Sequence, residues 1–522
     1  MADKKEDNNN TNQSETLAGQ YSKMESERDP YLAKARQCAK LTIPTLFPEH
    51  QTSGHQKFVT PYQGVGARGI NNISSKLLLA LFPPNQPFFR LSVDSQVLDE
   101  MGSSKGEAEE ALSIIEQRVI KEFNSSPSIR IQALEAIKQL IVAGNVLVYL
   151  PPKTNTLRVF RLDRYVVNRD AMGNLLCAIV KEELAPEAMP KEIKEELDVP
   201  SNLEYKDTAL YTKIKRDDNQ WVVTQECMGK TLESTRTTYP MDKCPWLALR
   251  LIALDNEDYG RSYVEEYLGD LISLEGLTKA IVEGSIASAK TLFMVSPNGT
   301  TRKKTLAEAR NLDIVEGNAQ DVSVLRVEKG SDFRVALETA NGITERLSFA
   351  FMLNSAVQRQ GERVTAEEIR YVASELEDSL GGIYSNMAQD LQLPLVTIMM
   401  SKLQREKKIP SLPKDMVTPT IVTGMEALGR TADLQRLDMF VQSLTVLGQQ
   451  AVEQYLNIDE YIKRRASALQ IETKGLVRSR DEVMQEQQQM MQQQQMAQMA
   501  QSAIPNAVKG MMDGANQPPP QQ

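Results

Sequence analysis

Gly361-Glu362-Arg363-Val364-Thr365-Ala366-Glu367-Glu368-Ile369 is the stretch on which the reading of this chain turns. Thr365 and Glu368 have capping-box spacing, in which a hydroxyl and a carboxylate satisfy free N–H groups of a first helical turn. Beyond them Ile369, Val372, Leu376, Leu380, Ile383, Met387 and Leu391 follow at intervals of 3, 4, 4, 3, 4 and 4. That spacing predicts one apolar stripe along a helix over 365–393, interrupted at Pro394. Upstream, residues 354–363 form a polar segment between two apolar helices, with Gly361 for bending and Arg359 and Arg363 as cations. Two readings of it stand: a surface loop with ordinary charges, or a loop projected into a channel where arginine meets phosphate transiently.

Working outward, helices are predicted over 17–43, with Pro30 as a kink or restart, and over 71–82, stopped by Pro83 and Pro84. Two more fit 105–123 and 128–143. The texture then changes: 145–252 reads as an antiparallel strand-rich region, with one hairpin turning at 170–174 and another at 217–219. From 263 the helical spacing returns and runs to about Ala289. A mixed segment, 295–338, opens on Arg302-Lys303-Lys304 and carries strand-like pieces at 313–315 and 322–327; helix resumes near Thr339. Helices are also predicted near 430–450 and 458–470, followed by a Gln- and Met-rich tract, 484–501, that can be helical when packed. The ends, 1–16 and 501–522, read as disordered. The fold class is α+β, mainly helical.

Composition narrows the function. Apolar residues make up 41% of the 522 and charged residues 25%, a globular balance. A net charge of -9 argues against coating nucleic acid, yet suits an acidic wall past which a duplex slides without sticking. The four cysteines, Cys38, Cys177, Cys227 and Cys244, form no close pair and read as buried or neutral thiols of a reducing compartment. Two histidines, His50 and His55, make a poor metal site and leave little room for Ser–His or Cys–His nucleophile schemes. Gly64-Val65-Gly66-Ala67-Arg68-Gly69 matches a dinucleotide fingerprint in letters alone. Pro61 precedes it, Phe88, Phe89 and Arg90 fill the place of the acidic residue, and it reads as a flexible loop before a helix. Gly229-Lys230-Thr231 lacks the earlier glycine of a phosphate loop, Thr224 standing there. Carboxylate pairs such as Glu265/Glu266 and Glu367/Glu368 read as solvated helix faces. Asn298-Gly299-Thr300 is a formal glycosylation sequon with no bearing on a cytoplasmic product. No signal peptide is visible, and the apolar run 140–150 is too short for a membrane span. No catalytic residue, metal or cofactor is expected.

Three stretches resemble the portal, or head–tail connector, proteins of short-tailed DNA bacteriophages. The first is 64–82 with Pro83-Pro84-Asn85 and Phe88-Phe89-Arg90-Leu91. The second, Asp258-Tyr259-Gly260-Arg261-Ser262-Tyr263, resembles the GxS element opening the helix that leads into the stem. The third, 361–369, resembles the ERxTAxEI element and is the most specific. Together they span roughly 60–400. The resemblance implies a homo-oligomeric ring, typically a dodecamer, at one capsid vertex, through which a motor packages DNA, DNA is ejected, and the tail attaches. It implies a wing over 17–262, a stem helix over 263–294, a clip over 295–338 and a returning stem helix over 339–353. It further implies a tunnel loop over 354–364, a long helix and wing return over 365–419 and a helical crown over 420–500. Gln358, Arg359, Gln360 and Arg363 would face the DNA, and Arg302, Lys303 and Lys304 would form the clip docking surface. The implied partners are the terminase motor, a tail adaptor, and the major capsid, scaffold and internal core proteins, in a virion assembled in the host cytoplasm without a membrane. One departure stands out: the Gln/Met tract breaks heptad order after about residue 484, so no barrel-like coiled coil is evident. The alternatives are a helical oligomeric scaffold or adaptor without a DNA channel, and a nucleotide-dependent enzyme using residues 64–69.

Overall fold

The computed structural model describes residues 16–48, 58–84, 87–93, 105–185, 189, 191–197, 208–289, 292–310, 313–325, 330–353, 366–410 and 417–421, with short stretches between 437 and 496. His50, His55, Thr365 and both chain ends lie outside the described residues. The chain divides into two compact units, one of residues 1–90, 118–412 and 419–425, the other of 91–117, 413–418 and 426–522.

The first unit is built around helices that enclose one another's apolar faces. Helix α1 (Leu17–Leu41) begins at Thr16, whose hydroxyl accepts from Gly19 N at 3.1 Å. Its remaining free N–H groups find a carboxylate from far along the chain: Glu226 accepts from Leu17 N at 2.8 Å and Ala18 N at 3.4 Å. Negative charge at a helix N-terminus meets both the free donors and the helix dipole. Pro30 lies within α1 and neither ends nor restarts it. Buried Tyr21 on one side of the proline and Leu32 and Ala35 on the other hold the axis through it.

Helix α2 (Val65–Leu81) starts six residues before the expected 71, so the glycine run is not a flexible loop. Gly66 and Gly69 are helical and make room for neighbours: a Cβ on Gly66 would lie 2.5 Å from Leu41 O, and one on Gly69 would lie 2.5 Å from the Phe351 ring. Gln63 joins the two helices, donating to Leu41 O at 2.6 Å and accepting from Gly66 N at 2.9 Å. Helix α3 (Lys105–Ser125) is followed by α4 (Pro127–Ala143), where Ala133, Ile137, Leu140, Ile141 and Val142 are fully buried. Burying each of the larger aliphatic side chains contributes about 1.5–3 kcal/mol. Gly144, with φ +73°, ends α4 where a Cβ would collide with the Arg261 backbone.

The predicted strand-rich region is two antiparallel sheets. A short strand β1 (Phe89–Val93) precedes them in the chain. Strands β2 (Asn145–Tyr149), β3 (Arg158–Phe160) and β9 (Trp246–Arg250) form the order β3-β2-β9. Strands β4 (Tyr165–Arg169), β5 (Leu175–Leu184), β6 (Thr208–Asp217), β7 (Gln220–Cys227) and β8 (Lys230–Pro240) form a five-stranded meander, with helix α5 (Lys191–Leu197) between β5 and β6. Met228 and Gly229, with φ of 55° and 75°, make the β7–β8 turn, and Lys230 and Thr231 run straight into β8. Gly229-Lys230-Thr231 therefore opens a strand rather than the helix a phosphate loop requires. The edge strand β4 is closed by the segment before the next helix: Tyr259 Oη accepts from Val167 N at 3.1 Å and Asp258 from Arg169 N at 2.7 Å. Asn145 pairs with Gly260 in the same manner, donating to its carbonyl and accepting from its N–H, both at 2.7 Å.

The long helix expected over 365–393 is divided. Helix α10 (Ala366–Leu380) ends at Gly381, φ +45°, and is followed by α11 (Gly382–Met387), a π turn (Ala388–Gln392) and α12 (Leu393–Arg405). Pro394 does not stop the chain, because the π turn shifts the hydrogen-bond register where the proline N–H is missing. Gln392 uses that geometry to donate to Leu81 O at 2.5 Å, capping the end of α2. A strand β12 (Val417–Ile421) follows. In the second unit Glu116 is buried and accepts from Leu91 N at 2.8 Å, Asp438 accepts from Tyr461 and Arg465, each at 2.9 Å, and the Gln/Met tract is helical over 488–496. Among the described residues no helix is long and apolar enough to cross a membrane.

Gly69→Val is expected to destabilise the first unit by about 1–3 kcal/mol, because the Phe351 ring has to move. The drop would be read from the denaturant midpoint of the first unit's transition.

Candidate functional site

A two-helix hairpin carries the segments singled out in the sequence. It starts at α6 (Tyr263–Glu266), whose cap Ser262 accepts from Glu265 N at 2.9 Å. After a break at Tyr267 comes α7 (Leu268–Ala289), and α9 (Gly330–Ala350) runs back antiparallel beside it. Helix thus resumes at Gly330, before the expected Thr339. Arg346 clasps Asp270 at 2.9 and 3.3 Å at one end, and at the other Gly284 makes room for the Phe333 ring.

Between the helices lies a small mixed unit. Strand β10 (Leu292–Val295) pairs with β11 (Val322–Leu325), while residues 313–315, expected to be extended, form no strand. A carboxylate explains the choice of partner. Asp321, at the start of β11, accepts from Thr300 N at 2.7 Å, Thr301 N at 3.1 Å and both threonine hydroxyls, tying the turn after β10 to the residue before β11. Desolvation works to raise the Asp321 pKa, but these donors outweigh it and hold the carboxyl below its ordinary value. Arg302 occupies the position before α8 (Lys303–Glu308) without a side-chain bond to the helix end, and Arg302, Lys303 and Lys304 are all exposed. Lys304 stands 3.9 Å from Glu308, so the basic triplet is partly neutralised on its own helix.

The return of the chain at the end of α9 is the most constructed part of the site. Met352 N donates to Phe349 O at 3.0 Å and Leu353 N to Ser348 O at 2.8 Å, with Met352 at φ 55°. This is a Schellman terminus in which methionine, not glycine, takes the left-handed position. The carbonyls left over are claimed individually. Ala350 O accepts from Tyr263 Oη at 2.9 Å, Phe351 O from Asn72 Nδ2 at 3.0 Å, and Met352 O from Asn72 at 2.8 Å and Lys76 at 3.3 Å. Lys76, buried on α2, also pairs with Glu375 of α10 at 2.9 Å. A cation thus sits at the negative end of α9 and joins it to the helix on the far side of the intervening segment. Sequence reasoning missed this clamp. Its signal is a lysine inside an apolar helical run, one turn after Asn72.

Gln358, Arg359, Gln360 and Arg363 lie outside the described residues, as does the side chain of Glu368. The clamp therefore stands directly before the polar segment rather than within it. Elsewhere the chemistry is quiet. The four thiols are unpaired, and burial pushes Cys38 up to about 11 and Cys244 up to about 12, which keeps them neutral. Among the described residues no group of His, Cys, Asp and Glu could hold a metal ion.

The chain belongs to the family of bacteriophage head to tail connecting proteins, whose model matches residues 14–477. It is 43% identical over 476 residues to the portal protein of Escherichia phage T7, covering 89% of this chain and 88% of that one. It is 42% identical over 467 residues to the portal protein of Enterobacteria phage T3, covering 88% and 87%, and 30% identical over 438 residues to that of Enterobacteria phage SP6, covering 82% of each.

Lys76→Met leaves Glu375 without its cation and is expected to cost about 1–3 kcal/mol. Adding Glu375→Leu should recover part of that loss, as a double-mutant cycle on unfolding would show. For Asp321, whose folded pKa is depressed, the stabilisation is present above its unfolded pKa and lost as pH falls through the folded value. The protection factors of the Thr300 and Thr301 amides, each taken against the intrinsic exchange rate at the same pH, should therefore be high near neutrality and fall at pH values below the usual carboxylate range. Asp321→Asn should lower that protection near neutrality and remove its dependence on pH.

Proposed function

We infer that copies of this chain form the portal ring of a short-tailed DNA phage, the channel through which the genome is packaged and ejected and the platform for tail attachment. Its role is structural, a conduit rather than an enzyme. The observation that carries this is the family match over 14–477, joined to 43% identity along nearly the whole of a phage portal protein.

The finer assignments extend that reading. The ring is a dodecamer. The wing is residues 17–262, the stem 263–294 and 339–353, the clip 295–338, the tunnel loop 354–364, the long helix and wing return 365–419 and the crown 420–500. Arg302, Lys303 and Lys304 on the clip dock the terminase motor and then the tail adaptor; exposure of all three supports a docking role. The wing faces capsid and scaffold proteins, and the crown faces internal core proteins. Gln358, Arg359, Gln360 and Arg363 meet the passing duplex. Support for that role comes from the flanks: both α9 and α10 are tied to α2 through Lys76. A net charge of -9 suits a bore in which sparse arginines touch phosphate without arresting it.

Electron microscopy of the purified particle, viewed down its axis, tests the reading. The expected image is a ring with a channel of about 20 Å or more, wide enough for a duplex; a monomer or dimer under all conditions overturns it. Arg359→Ala combined with Arg363→Ala is expected to leave ring assembly intact and to reduce genome packaging or retention. Neutralising Arg302, Lys303 and Lys304 should weaken motor or tail binding in a pull-down while leaving the melting temperature unchanged.

A further inference from the structure

We infer that Asn298, in the turn between β10 and α8, is a site of spontaneous deamidation, and that its product makes the face around Arg302, Lys303 and Lys304 more acidic. The second half rests on the docking role given to those residues above. Asparagine followed by glycine occurs at two places in the chain, Asn298-Gly299 and Asn341-Gly342. Both asparagines are exposed, and only the first lies outside a helix. Pro297 and Asn298 form the corner of a β-turn in which Gly299 N donates to Ser296 O at 3.1 Å. Asn341 and Gly342 lie in the interior of α9, where the backbone N–H groups belong to the cooperative ladder of a 21-residue helix.

The reaction is an intramolecular displacement. Gly299 N attacks the side-chain carbonyl carbon of Asn298. The bond from Gly299 N to Asn298 Cγ forms and the Cγ–Nδ2 bond breaks. The side-chain nitrogen leaves as ammonia, taking the proton that Gly299 N gives up. Water then opens the cyclic imide at one carbonyl or the other, leaving aspartate or isoaspartate. Glycine on the attacking side has no Cβ to hinder the closure. Packing keeps glycine there, since a Cβ on Gly299 would lie 2.4 Å from Asp321 Cγ. Asp321 also restrains the reaction. Closure requires the backbone at Asn298 to leave its turn conformation, and Asp321 holds the residues just beyond it, accepting from Thr300 N at 2.7 Å and Thr301 N at 3.1 Å. Its negative charge beside Gly299 opposes loss of the Gly299 proton as well. At Asn298 one main-chain bond and one carboxylate must yield, whereas at Asn341 a stretch of helix must open.

Either product sets a carboxylate beside Asp321 and four residues before Arg302. Isoaspartate also adds a methylene to the main chain next to Gly299, where Asp321 leaves no room. The fit of Thr300 and Thr301 on Asp321 is then lost. The basic triplet, with Lys304 already 3.9 Å from Glu308, gains another anion close by.

The test incubates the full-length protein at mildly alkaline pH and follows Asn298 and Asn341 by peptide mass spectrometry, with a synthetic peptide of residues 293–303 as the unrestrained reference. Asn298 is expected to convert more slowly than the peptide and faster than Asn341. Asp321→Asn should speed conversion at Asn298 by about three- to tenfold, the range of one lost hydrogen bond, and leave Asn341 unchanged. Conversion at Asn341 as fast as at Asn298, or no conversion at Asn298 in either protein once the peptide is exhausted, overturns the site. An unchanged rate in Asp321→Asn overturns the restraint. Asn298→Asp fixes the product's charge in place and should weaken motor or tail binding by about two- to fivefold, while Asn298→Gln leaves it unaltered. Wild-type binding by Asn298→Asp overturns the docking consequence; if neutralising Arg302, Lys303 and Lys304 is also without effect, the docking role of the triplet fails instead.

Discussion

The carbonyl end of α9 and the polar side of α2 meet where Asn72 and Lys76 donate to Phe351 O and Met352 O. Much of the first unit depends on that meeting. A helix terminus buried without partners leaves several carbonyls unsatisfied, at a cost of about 1–3 kcal/mol each. Here every exit carbonyl has a donor, and the donors come from elements remote in sequence. Gly69 lets the Phe351 ring approach α2, Tyr263 reaches across from the start of the hairpin, and Glu375 brings α10 onto Lys76. One basic side chain thus fixes three helices around the point where the chain leaves for residues 354–365.

The same logic recurs at other joints. Glu226 from a strand caps α1, Gln392 from a π turn caps α2, and Asp321 fastens the turn after β10. Each is a polar side chain satisfying backbone groups that helix or strand geometry leaves open. The apolar interior supplies most of the folding free energy; these joints set the angles at which the helices cross.

Much of the architecture was legible from local signals. The turns at 170–174 and 217–219, the strand-rich region 145–252 and the helices near 105–123 and 128–143 follow from spacing and turn chemistry, which act over a few residues. The readings that changed did so for non-local reasons. Pro30 and Pro394 looked like breaks, but packing on both sides and a π turn carry the helices through them. Gly66 and Gly69 looked like a flexible loop, because their neighbours, Leu41 O and Phe351, are distant in sequence. Lys76 went unremarked, since nothing near it in the chain announces Glu375.

By itself the sequence determined the class of protein: a mainly helical α+β chain with two histidines, scattered cysteines, no complete nucleotide loop, and the 361–369 element that placed it among head–tail connectors. Hydrophobic period and motif are one-dimensional, so they survive in a string of letters. Only the tertiary structure decided which helix ends are clamped and that β11 takes β10 as its partner. Those facts depend on hydrogen bonds and burial between residues tens to hundreds of positions apart, and no local pattern encodes them.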